Sequence, residues 1–119
     1  MTTKPFILTA EDRLKLRRQV LNSLGRGKGR AIRGKDLARR LGQPDDRKIR
    51  LMIRELIDEG VPIASSVSEP MGFYIVANEI EAADYIRVLE GRIREDTARL
   101  AAFNKACSEF AIPEQPSLM

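Results

Sequence analysis

The chain reads as mainly α, with a small β-hairpin wing and a long C-terminal helix. Two helical patterns lie close together, Lys35–Leu41 and Arg47–Glu59, joined by a short turn at Gln43-Pro44-Asp45-Asp46. Two extended arms follow, Val61-Pro62-Ile63-Ala64 and Gly72-Phe73-Tyr74-Ile75-Val76. Beyond them, residues 78–110 carry apolar side chains in alternating steps of three and four, the spacing of a helix with one sticky seam. A turn-linked helix pair followed by a hairpin offers its second helix as a rod that fits the major groove of B-DNA.

Taken in order, residues 1–8 read as an N-terminal arm. Thr9 suits an N-cap, with Asp12 at the third position of a capping-box-like pattern. The first helix runs from Ala10 to about Leu24. Leu14, Val20, Leu21 and Leu24 are expected on its apolar side, and Gly25 ends it. Gly25-Arg26-Gly27-Lys28-Gly29-Arg30 then has two readings. It is a flexible basic loop able to follow a phosphate backbone, or a helix–strand connector that happens to be basic. Gly29 to Asp36 also has the spacing of a phosphate-binding loop up to its last position. There Asp36 replaces the magnesium-binding Ser or Thr, and no apolar strand precedes it, so nucleotide binding is not expected.

Leu37, Ala38 and Leu41 point the next helix inward, leaving Arg39 and Arg40 outside. In the following helix Ile49, Met52, Ile53, Leu56 and Ile57 fall at i, i+3, i+4, i+7 and i+8, one continuous apolar stripe. At 100° per residue Arg47, Arg50, Leu51, Arg54 and Asp58 take the opposite side, with Lys48 near its edge. Leu51 is the odd member. It could meet a thymine methyl or be an ordinary surface leucine.

Ile86, Ile93, Leu100 and Cys107 share one core position of the long helix. Leu89, Phe103 and Phe110 share the other, with Asp96 in the one gap. From Ile80 to Cys107 such a helix spans roughly 42 Å at 1.5 Å per residue. That stripe outruns one small domain, so a second copy of the chain is the expected cover. The dimerisation residues are Ile86, Leu89, Ile93, Leu100, Phe103 and Cys107. Residues 9–77 thus read as the globular domain, 78–110 as a dimerisation helix and 111–119 as a disordered tail.

Charge is unevenly spread over the 119 residues. Residues 1–60 carry a balance of +8 and residues 61–119 a balance of −4. A polyanion is expected on the basic half. The chain has no histidine and one cysteine. The usual general base, a zinc ribbon and an internal disulfide are therefore missing, and neither an enzyme nor a metal or cofactor is expected. No apolar run reaches the ~18 residues of a membrane span. A cytoplasmic setting, in a bacterium or a phage-infected cell, is the expectation.

With these residues laid out, the chain resembles winged helix-turn-helix regulators. It is most similar to the DNA-binding domains of biotin-operon and deoxyribose-operon type repressors and to small prophage-encoded proteins of the same build. The match lies in Asp36-Leu37-Ala38-Arg39-Arg40-Leu41-Gly42, in Arg47 to Leu56, in Gly60-Val61-Pro62-Ile63, and in Gly72-Phe73-Tyr74-Ile75. The resemblance implies that Arg47, Lys48, Arg50, Leu51 and Arg54 sit on a recognition helix. Lys28, Arg30, Arg33, Lys35, Arg39 and Arg40 are then candidates for gripping phosphates. Three departures stand out. The turn is one residue longer than usual, it puts Asp45 and Asp46 at the start of the recognition helix, and the wing tip Ser65 to Met71 has no Lys or Arg. A long acidic helix stands where a ligand-sensing domain would be. The expected function is a homodimeric, sequence-specific double-stranded DNA-binding protein that regulates transcription, phage or mobile-element encoded. A winged-helix adaptor in DNA replication or recombination is the alternative.

Overall fold

The computed structural model describes residues 9–110. The N-terminal arm expected at 1–8 and the tail expected at 111–119 lie outside the described residues. Among the described residues are four α-helices and one antiparallel hairpin: α1 Ala10–Ser23, α2 Gly34–Arg40, α3 Arg47–Asp58, β1 Ile63–Ser66, β2 Gly72–Ile75 and α4 Glu79–Cys107. Short 3-10 turns occupy Lys28–Arg30 and Ser108–Phe110, the latter ending what reads in the sequence as helix. The described residues divide into two compact units between Ala83 and Asp84.

The first unit is built around α3. Its Ile49, Met52, Ile53 and Leu56 are buried, and Leu16 and Val20 of α1 with its C-cap Leu24, Leu37 and Ala38 of α2, and Ile63 of β1 close over them. Two sequence expectations fail at the rim of this core. Ile57 is 46% exposed. Its position lies about 80° around the helix from Ile49, at the margin of the stripe. Leu14 is 53% exposed and Leu16 is buried in its place. Leu16, Val20 and Leu24 follow a strict i, i+4, i+8 row, and Leu14 sits well off that row. Lys15 and Arg17 on either side of Leu16 hide it from a reading by composition.

Capping follows the sequence closely. The Thr9 hydroxyl accepts the Asp12 N–H at 3.1 Å. Gly42 and Gly60 take φ of 72° and 103° just past α2 and α3, the left-handed stop for which glycine is suited. Asn78 caps α4 by accepting the Glu81 N–H at 2.9 Å, and Glu81 reaches back to the Ala77 N–H at 2.9 Å. The pattern resembles a capping box, but Glu81 returns to the residue before the cap rather than to the N–H of Asn78 itself.

β1 and β2 pair with Ile63 opposite Ile75 and Ser66 opposite Gly72. The hairpin has a further neighbour. Ile32 and Phe73 exchange both backbone hydrogen bonds, at 3.0 and 2.8 Å. Ile75 receives the Gly27 N–H and donates to the Gly25 carbonyl, each at 2.8 Å. The stretch before α2 therefore lies along the outer edge of β2. This settles the basic stretch 25–30 as an ordered connector rather than a flexible loop. Lys28 is tied down as well, its N–H donating to Glu81 at 2.9 Å.

The second unit is the body of α4. Among the described residues no helix is long and apolar enough to cross a membrane.

Candidate nucleic-acid interface

The face of α3 opposite the core presents Arg47, Arg50, Leu51 and Arg54, all exposed, with Lys48 half-buried at the edge. The helix is amphipathic because its aliphatic and cationic residues each recur with the helical period. Burying Ile49, Met52 and Ile53 turns the arginines outward. Leu51 is 39% exposed among them.

Two of these arginines are met by carboxylates from the preceding turn. Asp45 accepts the Arg47 N–H at 3.0 Å and holds its guanidinium, also at 3.0 Å. The hydrogen bonds from Arg47 keep the Asp45 carboxyl below the usual carboxylate range. Asp46 receives the Arg50 Nε–H at 2.9 Å, and the same guanidinium lies 5.4 Å from the centre of the Phe73 ring. The side chains nevertheless stay in solvent, Arg47 at 70% and Arg50 at 60% exposure. Arg54 is exposed and has no ion pair among the described residues. The expectation that α3 bears outward-facing arginines holds for its geometry. Its charge is lower than the arginine count alone suggests, because Asp45 and Asp46 turn back onto it.

Phe73 and Asp46, which the sequence marks only as a strand residue and as an acid of the turn, organise this corner. Gly34, the first residue of α2, packs so tightly that an added Cβ would come 3.1 Å from an Asp46 oxygen and 3.5 Å from Phe73. The starts of α2 and α3 and strand β2 thus converge behind Arg50. Around the turn, Lys35, Arg39, Asp45 and Asp46 line one shallow groove. Arg33, Asp36, Arg39, Arg40 and Glu69 line a second, of about 670 Å³, between α2 and the hairpin loop. Arg33 pairs with Glu69 across it at 3.6 Å, and Arg39 with Asp36 at 3.7 Å. Lys28 and Arg30, by contrast, line neither groove.

Two carboxylates missed by sequence act as structural hubs. Glu55 on α3 holds Arg13 and also Arg17, the latter at 3.0 Å, and Arg17 reaches on to Glu59 at 2.7 Å. The Arg13 hydrogen bond holds the Glu55 carboxyl below its ordinary value. Glu81 is likewise lowered, first by the Lys28 N–H and then by the Ala77 N–H. The Asn78–Glu81 spacing was the available signal for the second. For the first, only the register of α1 against α3 reveals it.

No group of His, Cys, Asp and Glu suited to a metal ion occurs among the described residues. The expected dimerisation residues lie along α4, with Ile86, Ile93, Leu100 and Phe103 between 55% and 65% exposed, Leu89 at 39% and Cys107 half-buried. No protein-family model, curated protein or solved structure is significantly similar to the chain.

Proposed function

We propose that the chain is a winged helix-turn-helix DNA-binding protein. It acts as a homodimer in transcriptional regulation, with α3 as the recognition helix and the 63–75 hairpin as the wing. The observation that carries this reading is the exposed row Arg47, Arg50, Leu51 and Arg54 on a helix whose other face is the core. Supporting it, the stretch around Ile32 lines the hairpin edge, so helix, edge segment, helix, helix and hairpin follow the order of that architecture. Guanidinium groups donate to guanine edges or to phosphates, and Leu51 offers an apolar surface to a thymine methyl. Lys35, Arg39 and Arg40 on α2, and Arg33 just before it, are placed to hold backbone phosphate. Lys28 and Arg30 belong to the 25–32 connector and are the weakest members of that set.

The test is binding to duplex DNA at several salt concentrations. Affinity should fall on a log–log plot with a slope of about −0.9 per phosphate neutralised. The double variant Arg47→Glu, Arg54→Glu should abolish binding and leave the oligomeric state unchanged. A salt-independent response, or a double variant that binds as tightly as its parent, overturns the recognition-helix reading.

A second reading has its own support. Asp45 and Asp46 offset two of the α3 arginines, and the hairpin tip carries Glu69 and no Lys or Arg. Such a mixed surface also suits a protein partner, as in an adaptor for replication or recombination. Retention of a protein partner by the double glutamate variant favours that reading.

A further inference from the structure

The polarity of pairing along α4 is written in its charges. In the heptad frame Asp96 shares a core position with Leu89 and Phe103, and it forms an i, i+3 pair with Arg99 at 3.7 Å while 75% exposed. Its neighbour Arg92 flanks the same seam and is also exposed. If two copies paired in parallel, each core residue would face itself, so Asp96 would face Asp96 with only Thr97 beside it. Two carboxylates would then be desolvated together without a cation across the seam. In antiparallel pairing the first core position faces the second. With the two-fold axis between residues 94 and 95, Ile86 meets Phe103, Leu89 meets Leu100, and Ile93 meets Asp96. Each Asp96 then enters a hole bordered by Arg92 of the second copy.

The long-range pattern agrees. With that axis residues 79–90, which carry four carboxylates against Arg87 alone, face residues 99–110, which carry Arg99 and Lys105 against Glu109. An antiparallel pair therefore sets opposite charge against the acidic segment, and a parallel pair sets like against like.

We infer that α4 docks a second copy of this chain in antiparallel orientation, with Arg92 of one copy beside Asp96 of the other. This rests on the homodimer part of the proposed function and is independent of DNA binding. The apolar face of α4 supplies the adhesion and the Arg92–Asp96 pairs supply the polarity.

Cys107 is the sole cysteine and so a ready probe. The spin–spin distance is measured on the full-length chain labelled there with a nitroxide, and the oligomeric state by sedimentation equilibrium on the unlabelled chain, because Cys107 lies on the seam itself. Cys107 lies 12.5 residues from the proposed axis, so the two labels should be about 37 Å apart along the helix direction. A dimer with labels closer than about 20 Å, as side-by-side ends of a parallel pair require, overturns the polarity and leaves the dimer standing. A chain that stays monomeric overturns both. Charge exchange gives a second reading. Arg92→Glu should weaken dimerisation about tenfold, the scale of contact coupling energies, and Asp96→Arg added to it should restore the loss. No rescue by the second substitution counts against the Arg92–Asp96 contact.

Discussion

Gly72 is the residue at which the hairpin meets the segment leading into α2, and its replacement tests that junction. It has φ of 127°, a region that side chains other than glycine rarely adopt. A Cβ there would land on the carbonyl carbon and oxygen of Ile32 and come 2.5 Å from the Arg33 nitrogen. These are backbone atoms, so no rotamer change relieves the overlap. Gly72→Ala therefore has two costs. Holding alanine in that backbone region costs about 1–3 kcal/mol. The backbone overlap also pushes the edge segment off, so that the two Ile32–Phe73 hydrogen bonds, each worth about 1 kcal/mol net, are lost.

The two together amount to about 3–5 kcal/mol, which for a domain of this size lowers Tm by on the order of 20 °C. Thermal melting followed by circular dichroism, with urea unfolding alongside, measures it. Gly29→Ala is the control, because nothing lies within 4 Å of an added Cβ there. It should change stability by less than about 0.5 kcal/mol. A Gly72→Ala protein melting within about 3 °C of its parent would show that the 32–73 junction does not pack as described.

Three other outcomes follow from the same geometry. Met52→Ala empties a fully buried site and should cost about 2–5 kcal/mol, while Ile57→Ala, at a half-exposed position, should cost well under half as much; urea midpoints decide it. Glu55→Gln removes the anchor of Arg13 and Arg17, and should cost about 1 kcal/mol because Arg13 is nearly half exposed. The Glu55 carboxyl is lowered in the folded state, so its contribution is complete above the usual glutamate range and fades as pH falls through the lowered value. Below that value the parent and Glu55→Gln should converge in stability, and a gap that persists in acid excludes the ion pair as its source. Finally, Arg54→Gln, which removes one cationic contact without reversing charge, should make the salt slope of DNA binding shallower than that of the parent by about 1.

The helices and the hairpin were legible because each rests on a local rule. Thr9, Gly42, Gly60 and Asn78 mark ends, and the 49–56 stripe marks the buried face of α3. What was not legible depended on how one element lies against another. Leu16 and Leu14 differ only in which α1 row meets α3, and a hydrophobic count over a charged helix cannot separate them. The glycines of the 25–30 stretch leave a flexible loop and a connector equally open, and the choice is made by the edge of β2, a partner some 45 residues away in sequence. Arg47 and Arg50 were visible as cations. That Asp45 and Asp46 would fold back onto them depends on the bend of a turn that side-chain periodicity does not describe.

Those two pairs also bear on how the proposed interface would work. An ion pair exposed to this degree is weak and screened by solvent, so it does not lock Arg47 or Arg50 away from a stronger acceptor. It does hold both guanidiniums at the start of α3, where Phe73 further orients Arg50. An approaching phosphate must displace a carboxylate that already satisfies the same donors, and the local charge that draws it in is nearly cancelled. Attraction to any duplex is thereby weakened. A guanine edge, with acceptors at fixed positions, recovers bidentate geometry in exchange. If α3 reads DNA as proposed, the carboxylates would lower the affinity for nucleic acid in general more than the affinity for a matching site, and specificity is the difference between those two.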